Sequence, residues 1–386
     1  MSELSVKTAI ARAAELIPVL RERRGLTDEI RQLSDVTVED LRETGVLGLV
    51  TPRELGGAGL GVDDLFEVVM TLGRGCGSTA WCAGNWAMHG LLLAMFDPKA
   101  QREVFKADRF PIISTGFSPA RAKTRPVEGG AAIEGRWDFA SGVHHADWIV
   151  LVALGPEGPL AHLVPTHEVQ ILDTWHTGGL RGSGSTDVTT AEIFVPIHRI
   201  LNLAGPTEAR TVGRELYDSP WFRLPMLSIF SCGILGSMLG MAHGAIEVFV
   251  ERTQNKVGGL SGVKVGSRAD VHNRIGESAA NIDAATALVR TMYIELRNRA
   301  SGDVEITTLD RVRWRRNAAF AGHLAAGSVS RLFELGGAHV LWLDDQLHQF
   351  QRDIAAASHH HSMSWSSTCN GYGRALLGLE PELALI

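Results

Sequence analysis

Three consecutive histidines, His359, His360 and His361, stand in the run SHHHSMSW near the end of a 386-residue chain. Imidazole titrates near neutrality, so such a run can supply an acid, a base, a hydrogen-bond donor or a metal ligand. On a helix adjacent side chains diverge by about 100°, so the three cannot all ligate one ion. A helical ligand pair needs a spacing of three or four, and no acidic residue follows within ten positions to complete a set. Two readings stay open: a polar helix face, or one buried histidine acting as acid, base or donor.

Other residues offer weaker chemistry. His144 and His145 follow Ser141–Gly142, where a turn is expected, and read as exposed loop residues. GGLRGSGSTD (178–187) can cradle a phosphate through backbone N–H groups or simply form a glycine-rich hairpin loop. Trp81, Trp86, Trp137, Phe139, Trp148 and Trp175 are enough to wall a flat ligand, although each alone suits a core. No Gly-x-Ser-x-Gly elbow, no G-x-G-x-x-G between a strand and a helix, and no GK[ST] occurs.

The elements that must position these residues fall in three blocks. Apolar periodicity predicts helices over 6–22, from Thr37 onward (with Asp40 completing a capping-box-like start), and over 62–74, 78–95 and 98–106. From about 110 to 200 the pattern changes to short β-branched or aromatic runs separated by Gly and Pro, among them DWIVLVAL and DVTTAEIFVP. Long helical patterns return over about 218–254, 267–300, 305–340 and 344–374. This order excludes a doubly wound α/β sheet, which needs strands and helices to alternate throughout.

Composition bounds the function. The chain is 45% apolar and 21% charged, and 37 basic against 43 acidic residues give a net charge of −6 with no basic block. No nucleic-acid footprint is expected. Cys76, Cys82, Cys232 and Cys369 show no CxxC spacing, and the amphipathic N-terminus lacks a signal-peptide core, so a reduced, cytoplasmic setting is expected. Residues 224–242 carry no charge and nearly reach membrane-spanning length, but their Gly236, Gly240 and Gly244 share one helix face. A buried helix closely approached by another is expected there, not a membrane span.

Four stretches together resemble the acyl-CoA dehydrogenase superfamily: PRELGGAGLGVDDL (52–65), GRWDFASGVHHADW (135–148), GGLRGSGSTDVTTAEIFVP (178–196) and ELGGAHVLWLDDQLHQFQRD (334–353). The resemblance implies an α+β chain with an N-terminal helical domain (1–109), a central β-barrel (110–205) and a C-terminal four-helix bundle (206–386). It also implies a bound flavin and a homotetramer. A dehydrogenase of this family needs a carboxylate base on one of two C-terminal helices, yet 231–245 and 354–375 contain no acid. The Arg-Lys-x-Phe-Gly signature is missing too; ERTQNKVGG (251–259) stands in its place.

The chain is more similar to the flavin-dependent monooxygenases of this fold, the oxygenase components of two-component hydroxylases. STAWCAGNWAMHG (78–90) resembles their Trp followed eight residues later by His, here Trp81 and His89. Ser141 falls where that family places a hydroxyl against flavin N5. RDIAAASHHH…YG resembles their C-terminal pattern, and counting from Arg352–Asp353 to Tyr372–Gly373 selects His360. The resemblance implies FMNH2 or FADH2 delivered by a separate NAD(P)H-dependent reductase, O2, a C4a-hydroperoxide, and hydroxylation of a hydrophobic, aromatic or polycyclic small molecule. His360, His89 and Ser141 are then the expected catalytic residues. Trp81, Phe139, Trp137 and Ser141 would hold the flavin, and Ser118 and His89 the substrate, with no metal, membrane or nucleic acid involved. The alternative is an acyl-CoA dehydrogenase or related flavin oxidase with a displaced base; a catalytically dead scaffold is a third reading.

Overall fold

The computed structural model describes residues 4–381, apart from 107, 108, 157, 255, 258–261, 303 and 304. Three of the nine residues in the 251–259 stretch (255, 258 and 259) therefore lie outside the described residues. Five helices come first: α1 Val6–Ile30, α2 Asp35–Thr44, α3 Val62–Gly73, α4 Gly77–Leu93 and α5 Pro98–Val104. Helix α1 runs eight residues beyond the expected end at 22 and carries Pro18 inside it. Helix α2 starts earlier than expected, because Ser34 rather than Thr37 is the N-cap and its hydroxyl accepts the Thr37 N–H.

Eight strands follow: β1 Ile113–Gly116, β2 Ala122–Val127, β3 Gly130–Ala140, β4 Trp148–Gly155, β5 Gly158–Pro165, β6 Gln170–Ile171, β7 Thr186–Pro196 and β8 Ile200–Asn202. They do not close the expected barrel. They form two four-stranded sheets, ordered β1-β4-β5-β8 and β2-β3-β7-β6, with no ladder joining them among the described residues. The reason lies in β4, which is buried on both faces. Val150 and Val152 face the helical core, while Ile149, Leu151 and Ala153 face the second sheet across an apolar layer with Ile133, Trp137 and Val188. A strand sandwiched in this way reads as a continuous apolar run, as WIVLVAL does.

The rest is helical: α6 Ala204–Thr207, α7 Val212–Leu216, α8 Met226–Ile229, α9 Cys232–Gln254, α10 Ala269–Ser301, α11 Thr308–Glu334, α12 Gln346–Ser358 and α13 Trp365–Leu376. The expected glycine stripe on α9 lies against α3: a Cβ on Gly240 would sit 2.3 Å from the Met70 carbonyl oxygen, and one on Gly236 would overlap Val69. Residues 226–254 are long and apolar enough to cross a membrane, but 78% of their 18-residue apolar stretch is buried inside the fold. A core helix accounts for it.

One expected helix is two. The pattern over 344–374 breaks between α12 and α13, and the histidine run straddles the break. His359 is the C-cap of α12, and His360 has extended backbone (φ −63°, ψ 137°) and caps the next turn with its own ring. The three histidines are not on one helix as expected; the run separates because the chain changes direction.

Candidate active site

Helix α4, the end of β3, the 177–185 loop and the α12–α13 break meet at one place. Trp81, on the first half of α4, donates its indole N–H to Ser141 Oγ at 3.1 Å. Its ring also meets that of His360 edge-on, with centroids 5.8 Å apart. Ser141 Oγ lies 2.7 Å from Ser185 Oγ, which lies 2.6 Å from Ser183 Oγ; Ser183 in turn donates to the Leu180 carbonyl at 2.7 Å. Ser141 is partly exposed, whereas Ser183 and Ser185 are buried.

Phe139 and Trp137 part company here. Two residues apart on a regular strand, they would share one face. The β3–β7 register shifts between Trp137 and Ala140, and this bulge re-aims the chain. Phe139 takes a left-handed backbone (φ 65°) and is 66% exposed, meeting Trp175 edge-on with centroids 6.2 Å apart. A non-glycine residue in that region costs about 1–3 kcal/mol, a strain that recurs at ligand sites. Trp137 is fully buried between the sheets and its N–H goes to the Val152 carbonyl at 2.7 Å. It packs in the apolar layer between the sheets.

His360 has a defined tautomer. Its Nδ1 accepts the Ser362 backbone N–H at 3.3 Å and lies 2.6 Å from the Ser362 hydroxyl. A nitrogen that accepts carries no proton, so the neutral ring bears its proton on Nε2. Burial, then the neighbouring His361, pushes the His360 pKa down to about 3. The ring is neutral at physiological pH and offers an Nε2–H donor. His359 and His361 are exposed.

His89 stands elsewhere. It is two turns beyond Trp81, about 12 Å along the helix. Nδ1–H donates to the Ile113 carbonyl at 2.7 Å, and Nε2 accepts from the Thr115 hydroxyl at 3.2 Å. Burial lowers its pKa to about 4. Both nitrogens are thus engaged within the protein. Its face packs on Phe230, with centroids 5.9 Å apart, and Phe230 meets Phe117 at 5.8 Å. Ser118 follows Phe117 and is partly exposed.

Several side chains at this place escaped the sequence reading. Asp353 was used only as a register mark, yet it is 1% exposed and its Oδ1 accepts the Leu180 N–H at 2.7 Å. Burial raises its pKa to about 7. Arg352 donates to Asp28 at 3.1 Å and to the Gly178 carbonyl at 3.2 Å, so α12 clamps the 177–185 loop against α1. That loop is no open phosphate cradle: the N–H groups of Leu180, Ser183 and Gly184 are already bonded within the protein. Its Ser183 and Ser185, spaced by two, were the available signal for a hydroxyl chain. Among the described residues no group of three or more metal-type side chains is placed to hold an ion.

The arrangement fits a flat, polar-edged ring. An exposed phenyl held in strained backbone, an indole and a partly exposed hydroxyl supply an apolar wall and one polar contact, with a neutral imidazole N–H beside them.

Comparison with known proteins agrees. Residues 6–105 match the acyl-CoA dehydrogenase N-terminal domain and residues 232–365 the acyl-CoA dehydrogenase C-terminal domain. The chain is 31% identical to the flavin-dependent monooxygenase oxygenase subunit HsaA of Mycobacterium tuberculosis (strain ATCC 25618 / H37Rv), over 99% of this chain and 98% of that protein. It is 29% identical to the oxygenase component of an FADH2-dependent resorcinol hydroxylase of Rhizobium sp. (strain MTP-10005), over 97% and 95%. The solved structure of 3-HSA hydroxylase from Rhodococcus sp. RHA1 superposes with a TM-score of 0.92 at 29% identity, covering 98% of this chain and 99% of that one. The chain belongs to the acyl-CoA dehydrogenase family, in its branch of flavin-dependent monooxygenase oxygenase components.

Proposed function

We propose that the protein is the oxygenase component of a two-component monooxygenase that hydroxylates a hydrophobic aromatic or polycyclic small molecule, taking reduced flavin (FADH2 or FMNH2) from a separate NAD(P)H-dependent reductase. Bound reduced flavin supplies the electrons and the ring carbon at which O2 is activated. Trp81 and Phe139 wall the flavin ring, and Ser141 meets its polar edge. His360 holds its Nε2–H toward a substrate oxygen, stabilising negative charge there as a donor rather than removing a proton as a base. His89 acts through Thr115, fixing β1 and the Phe117–Ser118 segment that borders the substrate.

The observation that carries this reading is the tautomer of His360 beside Trp81 and Ser141. The competing dehydrogenase needs a base, and the only carboxylate close to this helix break in sequence is Asp353. That group is sealed from solvent, bound to Leu180, and packed against Gly77 at the start of α4. It is not presented to a substrate.

The same reading divides the chain into 1–109, 110–205 and 206–386 and treats α9–α12 as a four-helix bundle. It expects a homotetramer in the cytoplasm. Leu341, Trp342 and Leu343, all exposed on the loop before α12, support burial by a second copy. Coupled turnover with a flavin reductase, NADH, 18O2 and a panel of phenols tests the function: incorporation of 18O into one phenol supports it, and NADH oxidation yielding only H2O2 across phenols, polyketides and amines counts against it.

A further inference from the structure

We infer that Ser185 and Ser183 set the direction of the Ser141 hydroxyl, so that Ser141 presents only a lone pair to the site and selects reduced over oxidised flavin. The inference rests on the flavin reading above and concerns side chains that reading does not use. Each serine has one O–H to give. Ser183 Oγ donates to the Leu180 carbonyl. Its proton is then committed, so the 2.6 Å contact with Ser185 is donated by Ser185. The proton of Ser185 is committed in turn, so the 2.7 Å contact between Ser141 and Ser185 is donated by Ser141. Trp81 meanwhile donates to Ser141, which leaves this hydroxyl as an acceptor for anything that enters.

The chain could run outward instead, but it would lose a bond. Run inward, the three hydroxyls close three hydrogen bonds: Ser141 to Ser185, Ser185 to Ser183, and Ser183 to the Leu180 carbonyl. Run outward, they close two, and the third proton waits for a ligand. A ligand N–H therefore meets a prepared acceptor, whereas a ligand lone pair must reverse the chain and forfeit the Leu180 bond. The anchor is fixed in place: the Leu180 N–H is held by buried Asp353, and its carbonyl also takes the Trp175 indole N–H at 2.9 Å and the Ser183 backbone N–H at 3.0 Å. Reduced flavin carries an N–H at N5, where the oxidised ring has a bare nitrogen. One hydrogen bond of difference corresponds to about a fivefold preference for the reduced ring.

Ser185 and Ser183 are positioning residues, because neither reaches the site. The test is the ratio of dissociation constants for oxidised and dithionite-reduced FAD, titrated anaerobically and repeated with FMN, in the wild type, Ser185→Ala, Ser183→Ala and Ser185→Thr. Thermal melts establish that each variant is folded. The ratio should fall about fivefold in both alanine variants, mainly through tighter binding of oxidised flavin, and return in Ser185→Thr. Folded alanine variants that keep the wild-type ratio overturn the relay. A wild type that binds neither FAD nor FMN in either oxidation state overturns the flavin reading itself, and the relay falls with it. Because the readout is equilibrium affinity, loss of turnover alone cannot imitate the result.

Discussion

The Trp81 indole N–H reaches Ser141 Oγ across 3.1 Å and ties helix α4 to the end of strand β3. The same indole meets His360 edge-on, so one side chain connects the hydroxyl end of the site with its imidazole. Trp81→Phe keeps an aromatic wall and deletes the donor. Affinity for reduced flavin should fall about three- to tenfold, the weight of one hydrogen bond, as read by anaerobic titration. Unchanged affinity would mean that the Trp81 N–H does not hold Ser141 in place for the flavin.

His360→Ala should retain flavin binding within about twofold while hydroxylated product per NADH falls by about tenfold or more, with the missing flux appearing as H2O2. His359→Ala and His361→Ala should leave that yield near wild type. If one of those two variants uncouples the reaction and His360→Ala does not, the wrong histidine has been chosen.

The His360 ring should not titrate across the working range. Its pKa is depressed to about 3 by burial, so it is neutral at any pH well above that value. Product yield per reduced flavin should therefore show no His360-dependent inflection between about pH 5 and 8. An inflection near 6.5 that vanishes in His360→Gln would show an exposed, titrating base instead of a fixed donor.

Asp353 makes stability depend on pH in an unusual direction. Its folded pKa is raised to about 7, against about 3.9 in an unfolded chain. The folded protein holds this proton more tightly, so its contribution is greatest below about pH 4 and is lost as pH rises toward 7. Asp353→Asn should flatten that part of the profile, read as urea midpoints at pH 5 and 7.5 compared with wild type. Identical pH slopes in the two proteins would mean that the carboxylate is solvated or paired.

Trp137→Phe separates core from site. It removes the hydrogen bond to the Val152 carbonyl and some packed volume between the sheets, and should cost about 1–2 kcal/mol of stability. Flavin affinity should not change. A large loss of affinity in a folded variant would return Trp137 to the cofactor wall.

Much of this architecture was legible because it is written in local periodicity. The helices at 62–73, 77–93 and 269–301 fall within two residues of their expected bounds, and the glycines of α9 announced a close helix approach. The sheets were legible as strands, and the continuous apolar run of β4 signals two covered faces, but the arrangement was not legible, since pairing is nonlocal. The β3 bulge was invisible for the same reason, so nothing in the sequence separates Trp137 from Phe139. The break at 359–364 escaped because side-chain capping made it: Ser358, His360 and Ser362 bond to nearby backbone and side-chain atoms in place of continued helix. His360 itself was reached only through a family resemblance; its tautomer, and the serine chain behind Ser141, required coordinates.

The most direct test of the account is anaerobic purification followed by rapid mixing of protein and reduced FAD with 18O2 and a turnover-competent phenol, with the label followed into product. The account predicts colourless purified protein, one labelled oxygen per hydroxylated product, and dependence on free reduced flavin. Protein that purifies yellow with stoichiometric FAD, bleaches on addition of an acyl-CoA and puts no label into any phenol would contradict it.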